Sequence, residues 1–97
     1  MNEQLVYDIL WYLNEFPNEI NATDDVIVGF IKSDKHQYQQ VKDTLFKEGF
    51  IKQRNDNKNN IAWLITDTGK NELYRLKGKH KTENELAFSK DEELKDL

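Results

Sequence analysis

The chain of 97 residues has no cysteine, so it can hold neither a disulfide framework nor a thiolate metal site. Its first 31 residues contain no lysine or arginine. Glu3 is the first charged residue of the chain and Asp8 interrupts its first apolar run, which is not the pattern of a signal peptide. No apolar stretch approaches the roughly 20 residues that a membrane-spanning helix needs. A soluble, cytoplasmic protein with no membrane partner is the expectation. Catalytic patterns are also missing: there is no nucleophile elbow and no phosphate-cradling glycine loop. His36 and His80 stand far apart, and no His/Asp/Glu cluster has metal-ligand spacing. The acidic pairs Asp24–Asp25 and Glu92–Glu93 are explained as charges at helix starts. Neither an enzyme nor a bound cofactor or metal is expected.

What is present is a charge asymmetry. Residues 1–31 carry −6, residues 32–81 carry twelve basic against six acidic side chains, and residues 82–97 carry −4. A basic middle between acidic ends can form a local positive patch on a protein whose net charge is −4. That net charge counts against strong, indiscriminate binding to nucleic acid. With 37% hydrophobic residues, the chain has enough apolar material for one domain with a small core of three or four elements.

Residues 3–16 repeat Leu5, Ile9, Leu13 and Phe16 at helical spacing, with Val6, Leu10 and Tyr12 beside them. Pro17 ends that helix. Ile20 in the following connection can form a short edge strand. Thr23 suits the N-cap of a second helix, with Val26, Ile27, Phe30 and Ile31 as its apolar stripe. After "KSDK", Ser33 or Asp34 caps a third helix that runs to about Glu48 with Tyr38, Val41 and Leu45 facing inward. Gly49 fits the left-handed position that closes such a helix. "FIKQR" (50–54) and "IAWLIT" (61–66) have strand character, with Ile61, Trp63 and Ile65 on one buried face. Between them lies "NDNKNN". Thr66 caps a fourth helix over 67–77. In the tail, "TENE" and "SKDE" match capping boxes of short helices that need packing partners to persist.

The stretch "VKDTLFKEGFIKQRNDNKNNIAWLITDTGKNEL" resembles the second half of a winged helix-turn-helix domain of the MarR or PadR kind. The resemblance rests on Leu45, Gly49, Phe50 and Ile51, then Ile65, Thr66 and Gly69. It covers roughly residues 3–77 and leaves the tail outside. It implies an α+β, mainly helical fold: a three-helix core, a two-stranded wing hairpin and a fourth helix in residues 1–78. An acidic tail, short-helical or disordered, occupies 79–97. Gly69 in the first turn of the last helix would let a neighbouring element approach closely.

The resemblance also implies function. The third helix (34–48) would lie in the major groove of double-stranded DNA and the wing (50–66) on the backbone, as in small bacterial or phage transcriptional regulators. Helical spacing puts Lys35, His36, Gln39, Gln40 and Asp43 on the outer side, with Gln37 and Lys42 nearer the edges. Glutamine can pair with adenine, and lysine with guanine or phosphate. Lys32, Lys47, Lys52, Arg54 and Lys58 are candidate phosphate contacts. The Asn-rich wing tip is either a weak backbone contact or a solvated loop.

Tyr7 and Trp11 fall on the polar side of the first helix. They call for cover by a second subunit, or by the tail through Leu86, Phe88 or Leu94, unless their polar tips simply stay in water. A homodimer would suit a reader of two half-sites. The alternative function is a winged-helix protein-interaction module, binding a protein partner through that aromatic pair and the acidic ends.

Overall fold

A computed structural model describes residues 2–17, 22–54 and 61–80. Within them the order is α1 (Glu3–Glu15), α2 (Asp24–Ile31), α3 (Lys35–Lys47), β1 (Ile51–Gln53), β2 (Trp63–Ile65) and α4 (Asp67–Leu76). Three helices, an antiparallel hairpin and a fourth helix form a winged-helix-type architecture. No described helix is long and apolar enough to cross a membrane.

α1 is the central element. Asn2 caps it by accepting from the Leu5 N–H at 3.2 Å, and the chain leaves it at Pro17. Leu5, Val6, Tyr7, Ile9, Leu10, Trp11, Tyr12 and Leu13 are all buried, so this helix is covered nearly all round. Tyr7 and Trp11, which the sequence left in need of cover, are buried with the rest. Phe30 of α2 stacks on Trp11 at 6.3 Å between ring centres, and His80 lies 6.2 Å from Tyr7. Both rings are buried within a single chain. The tail residues Leu86, Phe88 and Leu94 lie outside the described residues.

α2 closes on a left-handed residue, Lys32 (φ 55°, ψ 45°), whose N–H bonds the Val28 carbonyl. This tight turn leads straight to Asp34, which caps α3 by accepting from the Gln37 N–H at 2.9 Å. Tyr38, Val41 and Leu45 of α3 enter the core as expected. Gly49 (φ 79°) ends α3 with two hydrogen bonds, Phe50 N–H to Leu45 O and Gly49 N–H to Phe46 O. That geometry turns the chain sharply enough for Ile51 to be fully buried at the start of β1.

In the hairpin Ile51 pairs with Ile65 and Gln53 with Trp63. Before α2, Ala22 and Thr23 add one more rung: Thr23 bridges Ala62, and the Trp63 N–H donates to Ala22 O at 2.9 Å. The pairing thus falls at 22–23; Ile20 is outside the described residues. Thr23 occupies the N-cap position but makes no side-chain cap bond there. Ile61 departs from expectation, being 54% exposed while Ala62 and Trp63 are both buried. The ladder starts only at the Ala62 bridge, so strand alternation does not reach back to Ile61.

Gly69 bears out its expected role. A Cβ there would meet the Phe50 carbonyl oxygen at 2.1 Å. The Thr66 hydroxyl accepts from the Gly69 N–H and donates to Gly49 O at 2.6 Å, while its own N–H donates to Phe50 O at 3.0 Å. One threonine and one glycine thereby fasten α4 onto the α3–β1 turn.

Candidate nucleic-acid interface

The elements next to the expected interface are α3 and the strand that follows it. His36, Gln40, Asp43 and Lys47 are exposed and, at three- and four-residue steps, run along the outward side of α3. The His36 ring and the Gln40 amide lie 3.4 Å apart. Gln37 is also exposed, but it and Gln40 border a cleft of about 410 Å³ with Asn2, Val41 and Thr44, toward the start of α1.

The other expected residues of α3 are partly engaged. The Gln39 amide is half-buried and donates to Asp24 Oδ2 at 3.3 Å, so this residue turns toward α2 rather than outward. Lys35 is exposed but pairs with Asp25 at 3.4 Å. Lys42 is largely buried, 3.1 Å from Asp43 and 3.9 Å from Asp24. The positive charge of α3 is thus partly answered by carboxylates of the same unit. The Lys35–Asp25 pair is exposed, and so weak and screened by salt.

On the hairpin, Lys52 is exposed and Arg54 half-buried, two residues apart and so on the same face. Lys32, in the left-handed turn between α2 and α3, is exposed. Lys58 lies outside the described residues, as does the whole of "NDNKNN". The structure therefore aligns His36, Gln40 and Lys47, turns Gln39 away, and leaves the tip of the wing undescribed.

Sequence reasoning missed the polar cluster beside this surface. Asp24 Oδ1 accepts from the Tyr38 hydroxyl at 2.7 Å and from the Trp63 indole N–H at 2.9 Å. Lys42 Nζ lies 5.2 Å from the centre of the Trp63 ring, and Phe46 meets the ring edge-on at 5.5 Å. Burial above all, then the Asp24 hydrogen bond and the charges of Asp24 and Asp43, hold the Tyr38 phenol protonated well above the ordinary range. The available sequence signal was that a buried Tyr and Trp each need an acceptor for their polar tip.

On α4, Arg75 pairs with Glu72 and lies 3.9 Å from Glu3. Among the described residues no group of three or more His, Asp or Glu side chains could hold a metal ion. In comparisons with protein-family models, with curated proteins and with solved structures, no match to this chain is found.

Proposed function

We propose that this chain is a small DNA-binding protein, a transcriptional regulator of the MarR or PadR kind working in the cytoplasm. In this reading α3 enters the major groove and the hairpin lies along the backbone. The observation that carries it is the run of exposed His36, Gln40 and Lys47 at helical steps on α3, with Lys52 and Arg54 following in the chain after the Gly49 turn. Gln40 and His36 are the candidates for base edges, while Lys32, Lys47, Lys52 and Arg54 are candidates for phosphate. Lys35 joins them by exchanging Asp25 for phosphate.

A second reading, a module that binds a protein partner, draws on a different observation. Phe46 and Ile61 are large apolar side chains left 46% and 54% exposed. Titrating the labelled protein with a duplex and following backbone amide resonances separates the two. DNA binding predicts shifts that concentrate on the outward side of α3 and on residues 52–54 and fade as salt is raised. Amides that stay unmoved across the titration at low salt would remove DNA and leave the protein-partner reading.

A further inference from the structure

Asp24 stands at the first position of α2, where the helix dipole alone would justify a carboxylate. Its surroundings require more than that. Oδ1 serves Tyr38 of α3 and Trp63 of β2 together, and Oδ2 serves Gln39 and faces Lys42, both of α3. One carboxylate is therefore shared by the helix before the turn, the helix after it and the second strand of the hairpin. Trp63 is held on three sides: its N–H on Asp24, its face under Lys42 and its edge on Phe46. Ring contacts alone allow sliding, whereas hydrogen bonds to an ionised acceptor fix direction as well as distance.

We propose that Asp24 is a positioning residue that locks the wing at a set orientation to α3, so that helix and hairpin meet a ligand as one body. Its meaning for DNA rests on the proposed function; the mechanical coupling does not. The backbone rung at Ala22–Trp63 anchors the hairpin to the segment before α2, and Thr66 anchors its base to the α3–β1 turn. Asp24 adds the side-chain link between β2 and α3 itself. Alanine would leave the Tyr38 hydroxyl and the Trp63 indole N–H without their acceptor.

The test compares Asp24→Ala with Asp25→Ala, a neighbour whose carboxylate pairs with exposed Lys35. Asp24→Ala is expected to move the Trp63 indole N–H resonance. It should also speed hydrogen exchange at the Arg54 and Trp63 amides by at least about tenfold more than in the core of α1, a local loosening that plain destabilisation does not produce. Asp25→Ala should do neither. In duplex binding, a coupling between Gln40→Ala and Arg54→Ala is expected in the natural chain and should vanish in the Asp24→Ala background. If Asp24→Ala does not fold, Tyr38→Phe removes one donor from the same oxygen and should still shift the indole resonance. An unmoved indole resonance, with hairpin exchange rising no faster than that of α1, would overturn the coupling. A hairpin that loosens as expected in a protein that binds no duplex would uphold the coupling and refute the DNA reading instead.

Discussion

Replacing Gly69 by alanine tests the packing that joins the wing to the last helix. The new Cβ would lie 2.1 Å from Phe50 O, 2.8 Å from Ile65 Cγ1 and 3.0 Å from the Phe50 carbonyl carbon. Two of the three are backbone atoms, so no side-chain rotation relieves the clash. The carbonyl oxygen must retreat by about 0.9 Å to reach even the 3.0 Å limit of real Cβ contacts. That retreat strains or breaks the 3.0 Å bond it accepts from the Thr66 N–H. Overpacking of this kind costs about 1–3 kcal/mol. The hydrogen bond adds about 0.5–1.5 kcal/mol. Alanine's better helix propensity returns at most about 1 kcal/mol. The net loss is about 1–4 kcal/mol, and each kcal/mol lowers the melting temperature of a domain this size by roughly 4–8 °C. Gly29→Ala is the matched control, because it sits in α2 with nothing within 4 Å of the new Cβ. It should gain about 0.5–1 kcal/mol. Urea unfolding of both variants beside the natural chain gives the comparison. A Gly69→Ala protein as stable as the natural chain would refute the close approach.

Lys32 holds left-handed φ and ψ with a Cβ, a conformation that costs an L-residue about 1–2 kcal/mol. Lys32→Gly should therefore raise the melting temperature by a few degrees, after the unfolded state's gain in freedom is subtracted; an unchanged or lower value would show that the turn is not strained. Tyr38 titrates above the ordinary phenol pKa in the folded chain, so its contribution is complete below about pH 10 and is lost as pH rises beyond it. The expected slope from this group is about 1.4 kcal/mol per pH unit, and Tyr38→Phe should flatten the alkaline limb of a stability–pH curve by that amount. Replacing both Lys52 and Arg54 by alanine should weaken duplex binding for all sequences alike and lower the salt slope by roughly one for each phosphate no longer neutralised. Weakening confined to one sequence would assign them to bases instead.

Much of the fold was legible because local chemistry and tertiary packing agree in the second half of the chain. Gly49, Thr66 and Gly69 are each required by a backbone geometry, and such requirements leave a mark at a single position. Asp34 as the cap of α3 is of the same kind. Tyr7 and Trp11 could not be placed this way. Their side of α1 is polar by sequence, whereas in the fold Phe30 and His80 from other segments lie against these rings. Ile61 failed for a related reason, since alternation along a strand holds only where the ladder exists. The sequence puts Gln39 on the outer side of α3 and explains Asp24 as a helix-start charge, because a helical wheel does not show what the neighbouring helix presents. Their hydrogen bond, and the link from Asp24 to Trp63 some forty residues on, exist only in three dimensions.

The most direct test of DNA binding is selection by the purified protein from a random duplex library at near-physiological salt, followed by sequencing. An enriched motif is expected, and it should disappear when His36 and Gln40 are both replaced by alanine; a palindromic motif would further indicate a dimer on two half-sites. Flat recovery, under conditions in which a known winged-helix protein enriches its own site, would contradict DNA binding.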